Sequence, residues 1–276
     1  MNVLESDRAF GDAISDSYER LLVPLIFEPY ADALADRVAR RLAGRPSARV
    51  LEVAAGTGAL TRAMTSRLPP SVEIVATDLN RAMLDRASAV GTTRPVEWRQ
   101  ADALALPFAA ESFDVVVCQF GTMFFPDKPK AFAEARRVLR TGGVLLLSVW
   151  DRIEDNEFAD VVTEALAARF PDDPPRFLAR TPHGYHDRAA ISDDLERGGF
   201  PSIASFETIA ERSRAASPDI PAIAYCEGTP LRNEIEARAA GRLAECTAVA
   251  TGAMRRRFGD GQVDGRIQAH LIAVER

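Results

Sequence analysis

The chain has 276 residues, 47% of them apolar, enough to bury the core of one α/β domain with an elaboration. A net charge of −6 and a pI near 5.3 argue against a dedicated nucleic-acid binder, whose surface has to neutralise phosphates. The opening MNVLESDRAF lacks a basic start with an apolar signal core, and no stretch approaches the ~20 apolar residues of a membrane span, so a cytoplasmic protein without a membrane span is expected.

In chain order, the segment 15–42 comes first. Tyr18, Leu21, Leu22 and Leu25 fall at helical spacing there, interrupted by Pro24 and Pro29, which predicts two or three short helices packed as a cap. Short apolar runs then alternate with amphipathic stretches, the pattern of a parallel sheet with crossover helices. Strands are predicted at 49–54, 72–78, 96–102, 113–119 and 143–150. Helices are predicted at 59–68, 81–89 and 128–139, the last stopped by Gly142 and Gly143. Helix and loop follow over 151–197, then a strand from Ser202 to Ser213, a mostly helical stretch at 217–257 and a closing strand at 266–275. The domain reading is a helical cap at 1–44 and one α/β domain at 45–276 carrying an insertion at about 217–257, whose Gly228 and Gly241 are placed to permit movement.

The stretch LEVAAGTGALT at 51–61 carries glycines at 56 and 58. A dinucleotide turn wants a third glycine where Thr61 stands, and a phosphate loop wants a lysine and a hydroxyl where Ala59 and Leu60 stand. What remains is Glu52-x-x-x-Gly56-x-Gly58, a turn that lets a backbone approach a ligand closely. Asp78 ends the next strand, at the edge where open α/β sheets bind ligands. It is placed to accept two ribose hydroxyls or, alternatively, to cap the following helix. Asp102 and Ala103, after the third strand, are placed to read a polar edge such as an adenine amino group.

Together LEVAAGTG, ATDLNRAML, QADALALPF, SFDVVVCQFGTMFFPD and EARRVLRTGG resemble the successive motifs of class I S-adenosylmethionine-dependent methyltransferases, most of all the branch of ubiquinone and menaquinone C-methyltransferases and small-molecule methyltransferases. The resemblance covers roughly residues 45–150. It implies a Rossmann-like seven-stranded, mostly parallel sheet whose last strand is antiparallel, with helical cap elements, and S-adenosylmethionine as cofactor. By position it implies a cofactor loop of Glu52, Ala54, Gly56, Thr57 and Gly58, with ribose on Asp78. Adenine falls between Leu79 and Met83 with its edge at Asp102 and Ala103, Gln119 faces the methionine end, and Tyr18 closes over the methionine carboxylate. The expected reaction is methyl transfer to a small-molecule acceptor. A relative that keeps the pocket for binding, or for another reaction, is the alternative.

Methyl transfer from a sulfonium needs alignment and exclusion of water, and a base only when the acceptor arrives protonated. In TPHGYHD at 181–187, His183 and His186 are the candidate bases, with Tyr185 beside them; a surface turn with local hydrogen bonds is the other reading. His270 is expected to be structural. Phe120, Phe124 and Phe125 are candidate walls of the acceptor site. Cys118, Cys226 and Cys246 are far apart and lack CxxC spacing, so neither a disulfide framework nor a metal site is expected. Arg255 to Arg257 read as an anion clamp or as a solvated helix end. Nothing fixes the oligomeric state, a homodimer included.

Overall fold

The computed structural model describes residues 5–8, 10–201 and 204–276. The chain enters through α1 (Asp12–Ser17), a π-helical stretch (Tyr18–Phe27) and α2 (Glu28–Leu42). Then come β1 (Ala48–Val53), α3 (Ala59–Arg67), β2 (Val72–Asp78), α4 (Arg81–Val90) and β3 (Glu97–Gln100). β4 (Phe113–Gln119), α5 (Lys128–Val138) and β5 (Leu139–Trp150) complete the alternating part. The remainder is α6 (Glu157–Arg169), α7 (Phe177–Arg180), α8 (Arg188–Arg197), β6 (Ser205–Ala215), α9 (Asp219–Glu227), α10 (Leu231–Arg238), α11 (Leu243–Phe258) and β7 (Val263–Glu275).

Among the described residues the strands form one sheet of order β3-β2-β1-β4-β5-β7-β6. β3 to β5 pair in parallel along it, and β7 runs antiparallel to both β5 and β6. Val50, Leu51, Val115, Val116 and Val117 are buried without alternation, because helices cover both faces of a parallel sheet.

The boundaries differ from expectation in four places. The helix predicted to reach Leu139 ends at Val138, and Leu139 already pairs with Phe113. The register then jumps to Val115 opposite Val144, so the glycine pair sits in a bulge inside β5 instead of stopping a helix. β3 is shorter than its apolar run suggested. β6 runs on to Ala215 and β7 starts at Val263; Ser202, where the β6 strand was expected to start, lies outside the described residues, as do residues 1–4 of the expected cap. The N-terminal prolines do not break the cap into separate helices. Pro24 lies inside the π-helical stretch, where the Glu28 N–H reaches the Val23 carbonyl five residues back, a wider turn that tolerates a missing donor and the ring. Pro29 occupies the first turn of α2, where its N–H would have no intrahelical partner.

β6 runs parallel to β1, so it ends at the same sheet edge as β1, β2 and β4. Its last residue, Ala215, is paired with Val263 at the start of β7, and the whole insertion of α9, α10 and α11 opens out of that hairpin. α9 packs on the π-helical stretch, and α11 packs on α9 and α6. The insertion therefore roofs the ligand edge of the sheet. Gly228 is a close contact in this roof: a Cβ there would lie 2.6 Å from the Ala224 carbonyl oxygen and 3.3 Å from both Leu22 and the Tyr18 backbone.

Candidate active site

β1 leaves the sheet through a turn in which Ala54, Gly56 and Gly58 have φ of 55°, 56° and 85°, a left-handed run that costs a β-carbon-bearing residue free energy. Gly58 starts α3, and a Cβ on it would fall 2.9 Å from the Trp98 ring. A Cβ on Gly121, after β4, would fall 2.4 Å from the Ala54 methyl, so the two loops interlock. Phe120, beside it, also has positive φ, 53°.

Asp78 closes this arrangement from β2. One carboxylate oxygen accepts the Gly56 N–H at 2.8 Å and the other accepts the Asn80 N–H at 2.8 Å. It thus organises the turn and the start of α4 together. A carboxylate offers about four acceptor positions, so lone pairs remain for a ligand's hydroxyls. Burial raises its pKa, against the lowering effect of the Asn80 and Gly56 N–H groups.

These loops line one side of a cavity at the ligand edge of the sheet. Of the residues expected at the cofactor, Tyr18, Ala54, Gly56 and Asp78 line it, and so do Leu79, Met83, Asp102, Ala103 and Gln119. Leu79 is 41% exposed, an apolar side chain standing free beside the Asp78 carboxylate. Gln119 donates its amide to the Phe27 carbonyl at 2.9 Å, tying the N-terminal stretch to the end of β4. Burial pushes the Tyr18 hydroxyl pKa up, with the Asp78 charge second, so it stays a phenol.

Glu52, Thr57 and Gly58 do not line the cavity. Glu52 lies behind the turn, 1% exposed, where the Thr61 hydroxyl donates to it at 2.5 Å. Burial raises its pKa to about 8, opposed by that hydrogen bond and by Arg62, so at neutral pH it is chiefly a neutral acid bracing β1 against α3. The Thr57 hydroxyl is buried without a hydrogen-bond partner.

The two candidate histidines separate. His183 is buried and lines the cavity. Its Nδ1 lies 2.8 Å from the Asp151 carbonyl oxygen, which only accepts, so Nδ1 carries the proton and Nε2 the lone pair. Burial lowers its pKa to about 4, partly offset by that hydrogen bond. His186 does not line the cavity; its Nδ1 is 2.8 Å from the His183 carbonyl oxygen. Tyr185 also points elsewhere, donating to Asp194 at 2.9 Å with Lys128 4.7 Å above its ring. His270 sits 3.4 Å from Asp151 and 2.9 Å from the Thr208 hydroxyl, a bridge between strands.

Phe120, Phe124 and Phe125 line the cavity as expected, joined by Tyr225 from the insertion and by Phe10, Phe27, Trp150 and Phe177, which carry no motif. Phe120 stacks on Trp150 at 3.8 Å and 4°. The Cys118 thiol is pushed up to about 12 by burial and is inert as a nucleophile. Arg255 to Arg257 are exposed at the end of α11, with Arg257 pairing Glu157, favourable to the helix dipole. No cluster of metal-ligating side chains occurs among the described residues, and none of their helices is long and apolar enough to cross a membrane.

Residues 51–147 match the family model described as a methyltransferase domain. The ubiquinone/menaquinone biosynthesis C-methyltransferase of Ralstonia pickettii is 32% identical over 178 residues, which cover 60% of this chain and 72% of that protein. The chain belongs to the class I S-adenosylmethionine-dependent methyltransferases. The Cupriavidus metallidurans C-methyltransferase is 33% identical over 180 residues, with the same coverages of 60% and 72%. Two solved chains share the architecture: YcgJ of Bacillus subtilis, TM-score 0.54 at 21% identity over 88% of this chain and 98% of that one, and phosphoethanolamine N-methyltransferase 2 of Haemonchus contortus in complex with S-adenosyl-L-methionine, TM-score 0.56 at 17% identity over 96% and 56%. The cofactor of this methyltransferase is S-adenosylmethionine, and its reaction is transfer of the cofactor's methyl group to an acceptor. The glycine turn and the spare lone pairs on Asp78 fit such a ligand.

Proposed function

We propose that the acceptor is a small molecule held in the same cavity as the cofactor, under a cap made of the segment before residue 45 and the insertion at 217–257. The observation that carries this reading is the lining of the cavity: its strand-end side presents Asp78 and the glycine turn, and its far side is closed by Phe177, Tyr225 and Pro230 from outside the alternating part. In this reading Asp78 accepts the ribose hydroxyls, Leu79 and Met83 pack on the adenine, and Asp102 with Ala103 meets its edge. Tyr18 and Gln119 face the methionine end. Glu52, Thr57 and Gly58 shape the loop from behind without touching the ligand. When bound, the cofactor supplies an electrophilic methyl group; the chain orients the acceptor towards it and keeps water out.

A thermal-shift panel tests the assignment. At a hundredfold excess over the dissociation constant, S-adenosylhomocysteine should stabilise the native state by about 2.7 kcal/mol, while NAD and ATP should not. Stabilisation by NAD without stabilisation by S-adenosylhomocysteine would overturn it.

A further inference from the structure

The polar groups of the cavity are unevenly distributed. Among the described residues the charged side chains lining it are Arg8, Asp78 and Asp102, and both carboxylates stand at the ends of β2 and β3, on the cofactor side. The opposite side is walled by Phe120, Phe124, Trp150, Phe177, Leu178 and Tyr225. Two of its other polar residues, Asn156 and Thr229, are committed. Asn156 donates to the carbonyls of Asp151, Arg152 and Gln268 at 3.1 to 3.3 Å and accepts the Gln268 N–H at 3.1 Å. Thr229 donates to Tyr225 at 2.7 Å and accepts from Leu231 at 3.1 Å. His183 differs: Nδ1 is spent on Asp151, which leaves Nε2 as an acceptor in an apolar chamber.

We infer that the acceptor is an apolar, non-cationic molecule that presents a hydroxyl group to Nε2 of His183 and is methylated on that oxygen. The inference rests on the methyltransferase reading of the cavity. An ammonium acceptor would find no carboxylate among the residues named on this side, while a hydroxyl can donate to the Nε2 lone pair of His183. The hydroxyl oxygen forms the new bond to the methyl carbon as the carbon–sulfur bond breaks, its electron pair staying on sulfur as a neutral thioether, and the hydroxyl proton passes to Nε2. An oxygen gaining a methyl group becomes far more acidic than the parent hydroxyl, so a weakly basic imidazole suffices late in the transfer. Asp151, His186 and Glu154 are the titratable groups acting on this ring. Since burial lowers His183 to about 4, turnover should be flat from about pH 5.5 to 8.5, without the inflection of an ordinary histidine near 6.5.

The test uses protein saturated with S-adenosylhomocysteine, whose binding is recorded first; failure at that step removes the cofactor reading and not this one. 2-Naphthol and 2-(aminomethyl)naphthalene, a cation at neutral pH, are then titrated while the imidazole nitrogen resonances are followed. The inference predicts that the naphthol binds and shifts the Nε2 resonance of His183, and that the amine does not. With S-adenosylmethionine carrying a labelled methyl group, label should appear on the naphthol oxygen. His183→Asn keeps an N–H for the Asp151 carbonyl but removes Nε2, and should lower turnover about 100-fold or more with S-adenosylhomocysteine affinity within about twofold. Preferential binding or methylation of the amine, naphthol binding that leaves His183 unmoved, no naphthol binding, or wild-type turnover in His183→Asn would each overturn the inference.

Discussion

At the strand-end side of the cavity most of the residues assigned to the cofactor, from Ala54 to Gln119, stand within a few residues of a strand terminus. The roof consists of aromatic rings from five separate segments, held by contacts far apart in sequence. Arg180 is the clasp of the roof: it donates to Asp7 at 2.6 Å and to Glu234 at 2.8 Å, and Thr181 also donates to Asp7 at 2.7 Å. Glu234 accepts the backbone N–H groups of Arg176 and Phe177 as well, so one network joins the N-terminal segment, α7 and α10. The cofactor side is therefore a property of the sheet, and the roof a property of the closed tertiary structure. The two sides should fail independently.

The largest effect is expected beneath the cofactor side, at Glu52. Its carboxyl titrates near 4.5 when unfolded and near 8 when folded, so its contribution to stability is fully present below about pH 4.5 and is lost as pH rises through 8. Glu52→Gln removes this dependence. Denaturant unfolding across pH 4 to 9 should show the variant gaining on wild type with rising pH, by an amount on the order of 4 kcal/mol at the alkaline limit. Parallel pH curves would contradict the neutral-acid account.

In the roof, Arg180→Ala leaves two buried carboxylates short of a partner and should cost about 3 kcal/mol of stability. Below the resulting melting temperature it should raise the acceptor KM more than it weakens cofactor binding. Limited proteolysis of the N-terminal segment, faster in the variant, provides an independent readout; equal loss of cofactor and acceptor affinity would dissolve the distinction between the two sides.

Gly58→Ala should cost about 2 kcal/mol, from positive φ and the encroachment on Trp98, while Gly241→Ala, with the same sign of φ at 72° but nothing within 4 Å, should cost under about 1 kcal/mol. Equal melting temperatures for the two variants would show that the turn relaxes freely. The smallest effect is expected at His186, outside the cavity: His186→Ala should leave turnover within about twofold, and a large loss would return it to the mechanism.

How much of this was legible in the sequence follows the same division. The strands, the glycine turn and Asp78 could be read because each ligand-facing residue follows directly on an apolar run. Glu52 was placed at the ligand because it lies in the motif, although the turn carries the chain away and leaves its side chain against Thr61. The roof gave a weaker signal, enough to place the cap and the insertion at 217–257 but not most of its rings. Phe10, Phe27, Trp150 and Phe177 stand in ordinary apolar or amphipathic stretches, and Asp7, Arg180 and Glu234 look like solvated charges until folding brings them together. Pro24 suggested a break where the helix widens instead. His183 and His186, alike in sequence, are told apart by which of them the Asp151 carbonyl turns towards the cavity.

The most direct measurement is calorimetric titration of S-adenosylhomocysteine into wild-type protein, Asp78→Ala and Arg180→Ala, each folded by circular dichroism at the temperature used. The account predicts that Asp78→Ala loses roughly 2 to 4 kcal/mol of binding free energy, from two charge-assisted hydrogen bonds partly replaced by water, and that Arg180→Ala stays within about 0.5 kcal/mol of wild type. Unchanged affinity in Asp78→Ala, or a loss in Arg180→Ala as large as the one expected at Asp78, would contradict it.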